Sequence, residues 1–466
     1  DAERYFRKAL DEGHEKGRLW RKIALVYREK GIFEEALEFI EKGLSITEKD
    51  EIERCKCLGT KGGILMQMGD YDEAIKIFKR ERDLAEELGD IKDKAKALHD
   101  LGTIYFRKGE FEDSMDYLER AADLREEVED VKGLEVSIQN IGAVYIRKGE
   151  PEKALQYYER ALDINEKTGN KSNLGSSLYN MGTVYWKKGD SEKALEYYER
   201  SLDIWREIGD KQGVSGCLNN IGNLHLDKGE LNKASNYHEK SLEISEDIED
   251  KDGIATSLVN LGVLDQSLGR LDESLELTRR ALKIREEMGD KQGIASSLHS
   301  LGSVYLLKDD IEKAREDIEE SLEIAEEVGD KSQASLNLSR LTEVWIRKGD
   351  LDKAEKRSER ALQIAEERDL LWEEGMAHMF RGIVFGREER WGESKREFEE
   401  ALELLDKTED QGNLARAHYE YGSMLRAKDD EKKAKERLEK AFSMFEEMGM
   451  QVWTERAKEG LSSLSR

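Results

Sequence analysis

Apolar residues along this chain fall on a stripe of helical spacing that returns every 40 residues. The stripe is built around Gly62, Gly102, Gly142, Gly182, Gly222, Gly262, Gly302, Gly382 and Gly422, with Thr342 in the glycine's place once. Four residues before most of these glycines, and again one before, stands an apolar residue such as Leu178 or Met181. Three after comes Tyr105, Tyr145, Tyr185, His225, Asp265, Tyr305 or Trp345. Positions i, i+3, i+4 and i+7 share one face of an amphipathic helix. Glycine inside a helix costs about 1 kcal/mol relative to alanine, so its recurrence predicts a second helix in close approach. A breaker follows each such helix, as in Gly69-Asp70, Gly109-Glu110 and Gly189-Asp190. The glycine suits a left-handed helix end, and the acid suits the start of the next helix. That next helix carries Ala74, Ser114, Ala154, Ala194, Ala234, Ser274, Ala314 or Ala354, small residues where helices cross. The only proline, Pro151, falls in a first helical turn, where its missing N–H is harmless.

One two-helix unit stacked many times is a quasi-one-dimensional architecture, better suited to a long surface than to a catalytic pocket. Leu178-Tyr179-Asn180-Met181-Gly182-Thr183-Val184-Tyr185, followed by Glu192-Lys193-Ala194-Leu195-Glu196-Tyr197-Tyr198, resembles the tetratricopeptide (TPR) pattern. The period of 40 exceeds the usual 34 or so, and the closing proline is absent. The extra length sits near Gly209-Asp210-Lys211 and Gly289-Asp290-Lys291. This long variant resembles the TPR domain of LGN/Pins-type adaptors, with related long repeats in kinesin light chains and in bacterial and archaeal TPR regulators. The resemblance implies an all-α, right-handed superhelical solenoid of antiparallel helix pairs running through residues 1–466 as a single domain. The pattern divides that span into a half-repeat at 1–16, about eleven helix pairs over 17–448, and a C-terminal capping helix at 451–465. Asp1 opens the chain inside what reads as a second helix (Ala2–Lys16), so an upstream continuation is expected.

The bulk numbers remove several classes. Apolar content of 38% and a net charge of −27 would suit disorder, but the sustained periodicity argues against it. No apolar run approaches a membrane span of about 20 residues, and no signal peptide is visible. The acidic balance opposes nucleic acid as a partner. Cys55, Cys57 and Cys217 form neither a disulfide framework nor a zinc pattern, so they read as reduced thiols of a cytoplasmic protein. His378 and His418 share a repeat position and read as packing residues, with no metal site expected. There is no HExxH, P-loop or GxSxG motif. No cofactor and no enzymatic activity are expected.

The TPR resemblance implies that the first helix of each pair lines a concave groove. With the repeat glycine at position 8, positions 2, 5, 6, 9, 12 and 13 face that groove. Position 6 holds Asn140, Asn180, Asn220 and Asn260 in successive repeats, joined nearby by Asn219 and Asn223. A primary amide both donates and accepts, so it can pair with the main chain of an extended peptide. In LGN-like relatives the asparagines at this position contact bound peptide; the alternative is that they bond their own neighbours. The groove positions carry fourteen basic residues, among them Lys96, Arg107, Arg147, Lys187, Arg340, Arg347 and Arg416. Against them stand five acidic ones, Glu29, Asp100, Asp227, Glu343 and Glu420. The first helices from Gly213 to Leu307 contribute only Asp227, so the groove reads basic, neutral, basic. A concave face of one sign attracts ligands of the other; the alternative is that cations near helix ends merely complement the helix dipole. The clamp for chaperone C-terminal carboxylates is not expected, because its cations are replaced by Ser296 and Ser300. The sequence thus points to a protein-interaction scaffold binding an extended, partly acidic peptide. A peptide- or ligand-sensing module of a larger signalling or transcription regulator is the alternative.

Overall fold

The computed structural model describes residues 17–464; the half-repeat expected over 1–16 lies outside them. The described residues form α-helices and no strand, a helical repeat solenoid. They fall into two compact units. Unit 1, up to Thr168, contains α1 (Gly17–Glu29), α2 (Phe33–Ile46), α3 (Glu51–Met68), α4 (Tyr71–Glu87), α5 (Ile91–Arg107), α6 (Phe111–Glu127), α7 (Val131–Arg147) and α8 (Pro151–Thr168). Unit 2, from Gly169, begins with α9 (Lys171–Lys187), α10 (Ser191–Ile208), α11 (Lys211–Asp227), α12 (Leu231–Asp247), α13 (Lys251–Ser267), α14 (Leu271–Met288), α15 (Lys291–Leu307) and α16 (Ile311–Glu327). It continues through α17 (Lys331–Lys348), α18 (Leu351–Glu366), α19 (Leu371–Arg387), α20 (Trp391–Lys407), α21 (Gln411–Ala427), α22 (Glu431–Met448) and α23 (Gln451–Leu464).

The repeat glycines lie at the crossing of each pair. A Cβ on Gly182 would stand 2.7 Å from the Tyr198 ring, and one on Gly102 would stand 2.7 Å from Leu118 Cγ. The partner is always the residue sixteen further on, here reaching the neighbouring backbone because glycine leaves room. Where Thr342 replaces the glycine, the residue sixteen on is Ser358, small and fully buried. Side-chain volume has moved from one helix to the other, as close packing demands. A second regular contact stacks the aromatic three residues past the glycine on one twelve further along. Tyr105 and Tyr117 lie 5.3 Å apart, Tyr185 and Tyr197 5.3 Å, and His225 keeps the stack on Tyr237 at 5.2 Å.

The punctuation works as capping chemistry. Asp90, Asp210, Asp290, Asp330 and Asp410 each accept from the backbone N–H three residues on, opening α5, α11, α15, α17 and α21. At the helix ends most left-handed positions are glycine, but Glu129 and Glu249 adopt φ of 54° and 55°. In unit 2, α23 closes the array. Trp453 lies 5.7 Å from the Phe445 ring of α22 and 5.8 Å from the Tyr419 ring of α21.

Candidate ligand-binding site on the first helices

In unit 1 two first-helix cations reach solvent. Arg107 and Arg147 end α5 and α7 exposed, with the Arg147 guanidinium 6.0 Å from the Phe106 ring. Lys96 instead pairs with Asp100 at 3.2 Å and with the buried Glu81 at 3.5 Å. Burial pushes the Glu81 carboxyl up to about 8. Asn140 is half-buried and engaged: its Nδ2 lies 3.3 Å from His99 Nε2 and 3.4 Å from Thr103 Oγ1. Burial, then the Arg125 guanidinium, pushes His99 down to about 4. The ring is neutral at pH 7 and can accept the amide proton.

In unit 2 the asparagines divide. Asn180 is half-buried on α9, as are Asn220 and Asn223 on α11 and Asn260 on α13. Asn220 hydrogen-bonds the hydroxyls of Tyr179 and Tyr198. Asn219, placed in the groove by the sequence pattern, is instead a core residue at 4% exposure. Its Nδ2 donates to Ser257 at 3.0 Å, while its Oδ1 lies 3.1 Å from His238 Nδ1 and accepts from Asn260 at 3.4 Å. The adjacent register position faces the helix crossing, so this amide serves the fold. Position 6 lies one residue round the helix and stays half open. An amide with one internal bond retains donor and acceptor capacity.

Three first-helix cations of the later repeats are paired, while Arg387 and Arg426 are exposed. Arg340, Arg347 and Arg416 converge on Glu343, which is 8% exposed. Arg416 donates to Glu343 at 2.7 Å from a residue 73 positions away, and Arg347 donates at 2.8 Å. Arg347 also reaches the Leu306 carbonyl at 2.8 Å and Asp309 at 3.3 Å. Burial would raise the Glu343 carboxyl, but Arg416, Arg340 and Arg347 outweigh it and hold it far below the usual carboxylate range. Burial and the neighbouring Arg416 push Arg340 down to about 10. Lys187 is exposed at the end of α9.

Unit 2 curls far enough for its late helices to meet its early ones. Met450 packs with Leu231, Ala234 and Leu264, and a Cβ on Gly269 would stand 3.1 Å from Val452. Gly189 abuts the Lys407 carbonyl, and Gly229 abuts Met448. Between these parts lies a cavity of about 250 Å³. First-helix residues supply most of its wall: Asp227 from α11, Gln266 from α13, Ser303 from α15, Arg340 and Glu343 from α17, Trp372 from α19 and Arg416 from α21. Asp410, Met448, Met450 and Trp453 complete it. Trp186 Nε1 donates to Asp227 at 2.7 Å, and Trp372 Nε1 donates to Asp410 at 2.6 Å. Burial, then the Asp410 charge, raises the Asp227 carboxyl to about 7.

The tetratricopeptide repeat family model matches residues 56–127, 134–207, 215–287, 293–367 and 373–447, and a second tetratricopeptide repeat model matches 17–50. The chain belongs to the tetratricopeptide repeat family. No curated protein matches this TPR chain. Among solved structures it is similar to a Rap protein complexed with competence and sporulation factor. That match has 18% identity over 76% of this chain and 98% of the other, with a TM-score of 0.53. It is similar also to apo RapI (18% identity, 59% and 98% covered, TM-score 0.46) and to BtubC from P. vanneervenii (21% identity, 48% and 92% covered, TM-score 0.40). The first of these likenesses is one of fold alone.

Other reactive groups are less suited to a site. The three cysteines are free and buried, and burial pushes Cys55 and Cys57 up to about 12 and Cys217 to about 11. Among the described residues, one set of metal-ligand type, Glu366, Glu374 and His378, brings donor atoms within 4.8 Å. Glu366 is exposed, and His378 Nδ1 lies 2.7 Å from Glu397. No described helix is long and apolar enough to cross a membrane. Sequence reasoning missed Trp372, Asp410, Met448 and Met450 as cavity residues. Asp410 carried only a capping signal, and the others stand outside the repeat pattern.

Proposed function

We propose that this TPR protein binds an extended, partly acidic peptide on the face made by the first helices of its pairs. The observation that carries the reading is the unit 2 cavity, whose wall comes mainly from six first helices and which holds polar groups of both signs. Asn180, Asn223 and Asn260 are half-buried on the same set of helices, and their amides would pair with peptide N–H and C=O groups. The preference for acid rests on Arg107 and Arg147, exposed on the first helices of unit 1; in unit 2 Arg340 and Arg347 are already balanced by Glu343. Preorganised amides give affinity independent of peptide side chains, and arginines add charge-assisted bonds to carboxylates.

A second reading makes the chain a peptide- or ligand-sensing module of a larger regulator. The Rap protein sharing this fold was solved complexed with competence and sporulation factor, which favours ligand sensing over passive scaffolding. The resemblance to LGN/Pins-type adaptors, resting on the 40-residue period, would favour an adaptor. Pull-down from native lysate followed by mass spectrometry identifies the bound peptide. Its affinity should fall with salt, because charges at an open surface are screened over about 10 Å at 0.1 M. Arg147→Glu with Lys187→Glu should slow association at least several-fold with melting unchanged. Equal association by wild type and variant would remove the acidic-peptide reading.

A further inference from the structure

The unit 2 cavity is bipolar. Asp227 and Asp410 line it together, and Glu409 adds a third nearby negative charge. Arg340 and Arg416 line it too. Their cluster sets three guanidiniums, with Arg347, against the carboxylates of Glu343, Glu420 and Asp309. Asp410 caps the start of α21, and Arg416 lies six residues along that helix. At 1.5 Å per residue the two backbone positions stand roughly 9 Å apart along the axis.

Three buried polar atoms at this wall lack a partner: Ser303 Oγ, Gln266 Nε2 and Arg416 Nε. Ser303 is 7% exposed and Arg416 6%. Native proteins satisfy nearly all such groups, so three at one cavity point to a ligand that bonds them. The ligand must carry a cation at one end, an anion at the other, and hydrogen-bonding groups between. An extended chain advances about 3.3–3.6 Å per residue, so a span of roughly 9 Å matches two or three residues with charged termini.

We propose that the unit 2 cavity binds a free oligopeptide of two or three residues, its ammonium between Asp227 and Asp410 and its carboxylate on Arg340 and Arg416. Ser303 and Gln266 bond the peptide units between. This deepens the peptide-binding reading above, on which it rests, by assigning one ligand class to one part of the face. Met448, Met450 and Trp453 also line the cavity.

Equilibrium dialysis of the full chain tests this, with mass spectrometry reading what is retained. The probes are a pool of tripeptides with free ends, the same pool N-acetylated, the same pool C-amidated, and a pool of single amino acids. Members of the free pool should be retained, and blocking either end should cut retention at least tenfold. Asp227→Asn should abolish the discrimination against N-acetylation while leaving the discrimination against amidation. Arg340→Gln should do the reverse. Retention of no tripeptide, equal retention of blocked and free pools, or retention of single amino acids as strongly as tripeptides would each overturn the assignment. Arg147→Glu with Lys187→Glu should leave tripeptide retention unchanged. Failure of the open-face reading would therefore show in that variant's behaviour toward longer acidic peptides, and failure of the cavity assignment in the tripeptide pools.

Discussion

Unit 1 and unit 2 both carry cations on their first helices, yet Arg107 and Arg147 of one and Arg340, Arg347 and Arg416 of the other meet different fates. In unit 1 Arg107 and Arg147 reach water. In unit 2 Arg340, Arg347 and Arg416 are gathered round Glu343. Arg107, Arg147 and Arg347 share position 13 while Arg340 and Arg416 stand at positions 6 and 2, so register differs as well as how far the chain curls beyond it. Helices 73 residues apart supply the two sides of the Arg416–Glu343 pair. Counting charges by repeat position therefore gives a ceiling on the field at the inner face. The field itself depends on which repeats come to face each other.

The strongest way to break this contrast is to remove the hub. Glu343→Ala leaves three guanidiniums without their shared carboxylate and should destabilise unit 2 by about 3–5 kcal/mol. Arg147→Glu in unit 1 should stay within about 0.5 kcal/mol. Hydrogen exchange with urea titration reads both; equal effects would show that the Glu343 cluster is no more integral than a surface charge. Because Glu343 is held below its ordinary value of 4.5, its contribution is present above that pH and is lost as acid protonates it.

A control sharpens the comparison, because the glycine crossings are common to both units. Gly102→Leu and Gly182→Leu should each cost about 1–3 kcal/mol or more, since the first added carbon already meets Leu118 or Tyr198. A neutral melting curve for either would show that helices there can separate freely.

Asp227 offers a pH test confined to unit 2. Its carboxyl is raised from 3.8 to about 7 by burial and by Asp410, with Glu409 adding to the rise and the Trp186 N–H opposing it. The unfolded chain thus ionises first, and stability falls as pH rises from about 4 to 7. Asp227→Asn, which keeps an acceptor for Trp186, should stabilise increasingly across that window and level off above it. A gain independent of pH would show that Asp227 is not held in a desolvated, like-charged setting.

The smallest effect should be alike in both units. Glu129→Gly and Glu249→Gly relieve left-handed backbone at φ 54° and 55° and should each stabilise by up to about 1 kcal/mol in thermal melts. Loss of stability would mean that the glutamate side chains make compensating contacts.

The repeated features were legible in the sequence because they are local. Gly182 against Tyr198, Tyr185 on Tyr197 and the Asp210 cap each lie within a single 40-residue period, so one repeat teaches the rest. The site was legible only in part. Half-exposed Asn180, Asn223 and Asn260 follow from helical register, but Asn219 shows how one step round a helix turns a ligand-facing amide into a core one. Asp410 opposite Asp227, and Met450 against Leu231, could not be read. They depend on the summed rotation between repeats, which small packing choices at every crossing set and no single repeat encodes.

That long-range meeting also changes how unit 2 should come apart. An array whose repeats touch only their neighbours can fray from its ends, its free energy a sum of nearest-neighbour terms. Contacts of Gly189 with Lys407 and of Gly229 with Met448 bind the beginning of this array to its end. Losing one terminal repeat then strips surface from a repeat several steps distant, so opening carries a penalty at two places at once. Unit 2 has the mechanics of a closed ring, which resists nibbling and then yields all together, rather than those of a zipper.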